Sequence, residues 1–373
     1  MQKLTVVDLF SGSGGMSCGF HRDGRFEVIG AVDVERAKPS AGDRSTSCND
    51  TYEANIGVKP IAADLALLEP SELSAQLGLQ KGELGVLISC APCTGFSQKR
   101  ASNLVVDDKR NTLVQRSALF VEELMPVYFV MENVKELAKG KHRHHFQFLH
   151  KRLQELGYSI RAEVHDLSEF GLPQRRIRTL LVAKRDGEAP FPFPMTSTVR
   201  TVRDVIGSLP PLSAGSSCPI DSMHACPNMT ELSLERVRAI PRDGGSWIDI
   251  PDEKSHLRIP SMNTKKPGSY PDIYGRLYWD RPAPTITREC AHPGNGRYCH
   301  PEQDRLLSVR EMALLQGFPS DYVFKGPLVS RYRQVGDAVP PLVSAQIAKV
   351  IGDDFEGKMP RTTSVLDDLF AAA

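Results

Sequence analysis

A doubly wound α/β fold is the class that this sequence predicts. Short β-branched runs alternate with helical stretches across residues 1–185, and glycines crowd directly behind the first run. Alternation at that spacing argues for a parallel sheet. From Glu188 to about Pro301 the composition changes to Pro, Gly, Ser and Thr, with turn signals and no long periodic helix. Two domains are therefore expected in a chain of 373 residues. Residues 1–188 plus 331–373 form the first. Residues 189–330 form a second, smaller and irregular one, with Pro190-Phe191-Pro192-Phe193-Pro194 at the boundary.

The strand candidates are Leu4 to Val7, Val28 to Val32, Val86 to Ser89, Tyr128 to Met131 and Thr179 to Ala183. Helical character falls at Leu113 to Leu124, His144 to Leu156 and Ser308 to Gln316. A further helix over Pro340 to Ile351 has proline at its start. The polar, Ser-rich segment Arg36 to Asn49 is expected to be a mobile loop, and Asp353 to Ala373 a frayed end.

Composition narrows the function. The chain is 40% hydrophobic and 24% charged, which suits a packed core and excludes wholesale disorder. Basic residues number 46 against 45 acidic ones, so nucleic-acid contacts must come from local clusters of positive charge. No apolar run is long enough to span a membrane, and the first residues read as a strand, not a signal peptide. Eight cysteines are too sparse for a disulfide scaffold, which places the chain in a reducing cytoplasm.

Behind the first strand stands Asp8-Leu9-Phe10-Ser11-Gly12-Ser13-Gly14-Gly15. Glycines there permit a tight turn and close approach of a ligand to the backbone at the carboxyl edge of a sheet. Asp33 ends the second strand, about where an adenosine ribose needs a carboxylate, and Asp64 follows a third edge. These acids suit a nucleotide or S-adenosylmethionine alike. No Walker lysine follows the loop, which argues against ATP.

Cys90-Ala91-Pro92-Cys93 follows the third strand, and Glu132-Asn133 ends a later one. Parallel strands would deliver both ends to one edge, a thiolate as soft nucleophile and a carboxyl as proton donor or acceptor. A redox or zinc pair is the rival reading of Cys90 and Cys93. It is weakened by the lack of a second Cys-x-x-Cys. A denser group, Cys290, His292, Cys299 and His300 with Cys218, His224 and Cys226 upstream, has spacings poor for one tetrahedral ion, so no bound metal is expected.

Phe10-Ser-Gly-Ser-Gly-Gly15, Pro92-Cys93 with Gly95-Phe96-Ser97, Glu132-Asn133-Val134 and Gln174-Arg175-Arg176-Ile177-Arg178 stand in order. Arg310-Glu311, Leu315-Gln316-Gly317-Phe318-Pro319 and Gly336-Asp337-Ala338-Val339-Pro340 follow. Together they resemble the bacterial type of DNA (cytosine-5)-methyltransferase, with only about residues 190–270 unmatched. The resemblance implies a Rossmann-like S-adenosylmethionine-dependent sheet beside a target-recognition domain, acting on double-stranded DNA.

It further implies that Cys93 adds to C6 of a flipped-out cytosine while Glu132 holds or protonates the ring, with Arg176 and Arg178 assisting. Phe10, Ser11, Gly12, Gly14, Gly15, Asp33, Val34, Asp64, Leu65, Pro92 and Asp337 would line the cofactor site. Ser97, Gln98, Lys99, Arg100 and Gln174 would face the substrate. Alternation on a strand would put Gln174, Arg176 and Arg178 on one face. Two positions depart from the family: Asp337 stands where Asn is usual, and Val34 where an aromatic often follows the ribose acid. A monomer in a bacterial cytoplasm is expected, on the nucleoid while acting, with a cognate restriction endonuclease as a partner. The alternatives are a tRNA cytosine-5 methyltransferase and a catalytically inactive DNA-binding paralogue. Retention of Cys93 and Glu132 opposes the second, and the sizeable variable region opposes the first.

Overall fold

Six strands form one sheet in the order β2-β1-β3-β4-β6-β5. They are β1 (Leu4–Leu9), β2 (Phe26–Val32), β3 (Val86–Ser89), β4 (Tyr128–Val134), β5 (Ser159–Asp166) and β6 (Ile177–Lys184). The computed structural model describes residues 3–35, 45–92, 107–108, 111–191, 199–259 and 270–358. β1 pairs in parallel with β2 and β3, and β3 with β4. β6 runs antiparallel to both β4 and β5, so the sheet is mixed and the all-parallel expectation is corrected.

The inner strands are apolar runs because helices cover both faces. β3 and β4 are buried along their whole length. On one face Val7, Leu87, Phe129 and Leu181 pack with Leu73, Val121 and Leu149. These last three come from α3 (Pro70–Leu77), α4 (Thr112–Leu124) and α6 (His144–Glu155); the short α5 (Lys135–Lys139) precedes α6. On the other face Val6, Val28, Val86, Val130 and Val182 meet Phe20 and Ile347. Phe20 belongs to α1 (Gly15–Arg22) and Ile347 to α11 (Pro341–Phe355), while α2 (Cys48–Ile56) lies between β2 and α3 in the chain.

Helices α1 and α11 pack closely at Gly19, backbone against backbone. A Cβ added at Gly19 of α1 would stand 2.2 Å from the backbone nitrogen of Ala345 in α11. Ser344 donates its hydroxyl to the Met16 carbonyl across the same seam.

Residues 199–306 hold few regular elements, among them α7 (Arg203–Ile206) and α8 (Glu231–Ala239). Buried arginines take over from secondary structure in tying loops together. Arg276 donates to the carbonyls of Val237, Ile240, His300 and Gln303 and pairs with Asp304. Next come α9 (Val309–Leu315) and α10 (Leu328–Asp337). Ser308 and Glu311 form a capping box at the start of α9, and Arg305 grips both Glu311 oxygens at 2.7 and 2.8 Å.

Two expectations at segment edges are corrected. Cys48 and Asn49 begin α2, so the Ser-rich segment ends in a helix; residues 36–44 lie outside the described residues. Asp353 to Phe355 complete α11, where buried Asp353 accepts from Arg25 at 2.7 Å. Among the described residues no helix is long and apolar enough to cross a membrane.

Candidate active site

The chain switches direction across the sheet between β1 and β3, and their carboxyl ends open on a cavity of about 930 Å³. Sharp local geometry builds its floor. Phe10 adopts φ +61, and Gly12, at φ +50, has nothing within 4 Å of an added Cβ, so its backbone faces open space. Gly14 and Gly15 are glycines for a different reason. A Cβ at Gly14 would stand 2.8 Å from the Tyr322 hydroxyl, and one at Gly15 would stand 2.2 Å from the Val339 carbonyl oxygen. Gly14 caps α1 and does not line the cavity, whereas Phe10, Ser11, Gly12 and Gly15 do.

Acids surround this floor. Asp33 accepts from the amides of Gly12 at 3.0 Å and Glu35 at 2.6 Å, and burial lifts its pKa above the ordinary carboxylate range. Val34 beside it is exposed at the cavity wall. A parallel bridge between Val32 and Ile61 supplies the short third edge that carries Asp64 and Leu65 to the cavity. Asp64 accepts from the Ala66 amide at 3.0 Å.

Asp8 is the acid that sequence reasoning missed as a site residue, although it visibly ends the first run. Its Oδ2 accepts from Ser17 Oγ at 2.5 Å, while its buried Oδ1 and the nearby Ser11 Oγ have no hydrogen-bond partner. Burial pushes the Asp8 pKa up to about 7, and the charge of Asp33 adds to the shift. One orphaned carboxylate oxygen, on Asp8, beside two further acids suits a ligand rich in donors and carrying positive charge. S-adenosylmethionine, with its sulfonium, ammonium and ribose hydroxyls, fits that description.

The other half of the cavity is basic. Glu132 lies two residues before the end of β4, and because β6 is antiparallel its first residues reach the same edge, Val134 lying opposite Arg178. Arg178 Nε stands 3.0 Å from Glu132 Oε1, with side-chain exposures of 13% and 8%. The expected single strand face of Gln174, Arg176 and Arg178 is corrected, since β6 begins at Ile177. Gln174 is fully buried and outside the cavity lining. It donates to Gln316 Oε1 at 2.6 Å and accepts from the Ile286 amide at 3.0 Å. Arg176 lines the cavity and donates to the carbonyls of Ile286 at 3.0 Å and Ala338 at 3.2 Å. These two residues therefore fasten the segments around Ile286 and Ala338 to the mouth of the site.

Asp337 is the last residue of α10 and faces the cavity, paired with Arg288. Burial raises its pKa to about 6 against the pull of that guanidinium, with 47% of its side chain exposed. Arg288 also lines the site, and nothing in its sequence surroundings announced it. Cys90 lines the cavity too, and burial, with the charges of Glu132 and Asp8, drives its thiol pKa far upward. Pro92 reaches the cavity. Cys93, Ser97, Gln98, Lys99 and Arg100 lie outside the described residues. The cysteines and histidines that raised the zinc reading are occupied within the fold. Cys290 donates to the Tyr332 carbonyl, and His224 lies 2.8 Å from both Ser308 Oγ and the Pro210 carbonyl.

The sequence model of the C-5 cytosine-specific DNA methylase family matches residues 4–353. The Type II methylase M.HgiDII of Herpetosiphon aurantiacus is 37% identical over 361 residues, covering 94% of this chain and 96% of its own length. The Type II methyltransferase M1.HphI of Haemophilus parahaemolyticus is 35% identical, covering 93% of this chain and 86% of its own. Among solved structures, the S. pombe Dnmt2 methyltransferase superposes with a TM-score of 0.61 at 16% identity, covering 95% of this chain and all of its own, which shows the fold alone. The extent of these matches leaves no ambiguity: the chain belongs to the C-5 cytosine-specific DNA methylase family.

Proposed function

We propose that this methyltransferase modifies C5 of cytosine within a specific double-stranded DNA sequence, using S-adenosylmethionine held between the glycine loop and Asp8, Asp33 and Asp64. The observation that carries the reading is one cavity with two chemistries. The partnerless Asp8 Oδ1 and Ser11 hydroxyl stand at the carboxyl end of β1, and a buried Glu132–Arg178 pair stands near the end of β4. When bound, the cofactor supplies an electrophilic methyl group. The chain supplies the rest. Cys93 adds its thiolate to C6 of the flipped base, placing negative charge on the ring. Glu132 hydrogen-bonds or protonates the ring edge so that this charge is stabilised, and Arg178 fixes the carboxylate. After methyl transfer, loss of the C5 proton restores the double bond and releases Cys93.

Residues 189–330 serve in this reading as the target-recognition domain, and 1–188 with 331–373 as the catalytic one. Lys99, Arg100 and Gln98 contact DNA beside the flipped base, with phosphate contacts that position without reading sequence. The relatives named Type II methylases support a role in restriction–modification; a cognate endonuclease in the same cytoplasm and action at the nucleoid complete the reading. Transfer of labelled methyl groups from S-adenosylmethionine to duplex DNA, compared with tRNA, tests it. Label in the DNA at C5 of cytosine is expected. Label in tRNA alone, or in neither, overturns the reading.

A further inference from the structure

Away from the cavity, four side chains converge on a patch that the methyl-transfer chemistry does not use. Asp107 lies just before α4, and Lys141-His142-Arg143-His144-His145 leads into α6. Asp107 Oδ2 is 2.9 Å from His145 Nε2 and 3.2 Å from His144 Nε2, while Oδ1 is 3.6 Å from His142 Nδ1. Asn111 donates to Asp107 Oδ1 at 2.7 Å and fixes the carboxylate in place.

Ligand atoms about 2.0–2.1 Å from a tetrahedral ion are about 3.3 Å from one another. The Asp107–His144 and Asp107–His145 separations are already close to that edge length, and the ligand atoms of Asp107, His144 and His145 all lie within 4.8 Å of one another. His142, whose Nδ1 is 3.6 Å from Asp107 Oδ1, lies outside that group and becomes a fourth ligand only if its ring swings inward. Three imidazoles with one carboxylate form a borderline nitrogen-rich donor set, suited to zinc and its first-row neighbours. Calcium and magnesium require more oxygen. Side-chain exposures of 55% at His144 and 39% at Asp107 give an ion a path in and out. By contrast, His145, at 4%, anchors the group to the core.

We propose that Asp107, His144 and His145, with His142, bind a zinc-class divalent ion that clamps the start of α4 to the start of α6. The clamp joins the two segments that lead away from the reaction cavity. Thr112 and Leu113, at the start of α4, line that cavity, as does Glu132 on β4, ahead of the histidines in the chain. Occupancy is thereby coupled to the placement of the α4 residues in the cavity wall. The site is distinct from the cysteines that carry methyl-transfer chemistry or pack the second half of the chain.

Full-length protein without a polyhistidine tag, stripped with EDTA, is titrated with Zn2+ by calorimetry and with Co2+ by visible absorption. The expected result is one equivalent bound with tetrahedral cobalt bands and a rise in the melting temperature. The His144→Ala/His145→Ala double variant binds one equivalent fewer, and His150→Ala, farther along α6, binds as the parent does. Asp107→Asn guards against misfolding of the double variant. It keeps an oxygen for Asn111 but weakens the ion at least tenfold while its melt without metal stays native. Absence of binding by the parent, or an equal stoichiometry and affinity in Asp107→Asn, overturns the proposal.

Discussion

Arg178 Nε meets Glu132 Oε1 at 3.0 Å across two antiparallel strands, and the pair closes the basic half of the cavity. A carboxylate so placed acts on a base only if its charge and orientation are both kept. Glu132→Gln is expected to slow single-turnover methyl transfer by roughly 10²–10⁴-fold while duplex affinity without cofactor changes less than about threefold. A parallel collapse of DNA binding would assign Glu132 to docking instead.

Cys90 and Cys93 share one loop entry, but the upward shift at Cys90 keeps it a protonated thiol at neutral pH. A duplex carrying 5-fluorocytosine at the target should trap the protein covalently, because fluorine cannot leave C5 as a proton does. Trapping should vanish in Cys93→Ser and persist in Cys90→Ser. Equal loss in both would restore the paired-cysteine reading.

Asp8 gives the unliganded protein a pH dependence of definite sign. Its pKa is about 7 in the fold against 3.8 for the unperturbed group, so between those values the folded state holds the extra proton. Stability therefore falls as pH rises from about 4 to about 7, then levels off, by up to about 4 kcal/mol for this group alone. Urea unfolding at pH 5 and pH 8 should show a clearly smaller difference in Asp8→Asn than in the parent. An unchanged difference would show that Asp8 is ionised without penalty.

Asp337 and Arg288 neutralise each other at the cavity wall. Asp337→Asn removes that partner and leaves Arg288 uncompensated near a cationic cofactor, so S-adenosylmethionine should bind more weakly, by about fivefold or ~1 kcal/mol. DNA affinity in the absence of cofactor should stay nearly constant. Calorimetric titration of both variants decides the matter, and identical dissociation constants would place the pair outside cofactor binding.

Gly19→Ala tests the seam between the first and last helices. Alanine stabilises an exposed helix position by about 1 kcal/mol relative to glycine. Here the new methyl would meet the Ala345 nitrogen at 2.2 Å, so overpacking should dominate and cost roughly 1–3 kcal/mol. A higher denaturation midpoint would mean that α11 shifts freely.

The inner strands were legible because β3 and β4 are buried on both faces and read as unbroken apolar runs. β5 was not, since Ser159-Ile-Arg-Ala-Glu-Val-His-Asp166 is a half-exposed edge strand with charges at several positions. The antiparallel course of β6 leaves no local mark, yet it is what brings Arg178 to Glu132. α10 escaped because Leu328-Val-Ser-Arg-Tyr-Arg-Gln-Val-Gly-Asp337 mixes β-branched residues with a glycine. Candidate catalytic and cofactor residues could be named only where motifs carry them. Asp8 and Arg288 gain their roles only from what the fold places opposite them.

The close backbone approach at Gly15 and Gly19 sets a schedule for biosynthesis. The glycine loop and α1 are translated first, but the wall they lean on, Val339 and Ala345 of α11, follows more than three hundred residues later. Contacts this distant in sequence form late in folding. A nascent chain therefore carries every motif of the first half while its cofactor pocket still lacks one side. Competence to modify DNA therefore waits for the segment from Val339 to Ala345, and polypeptides released before Pro341 stay inert however well their sheet has formed.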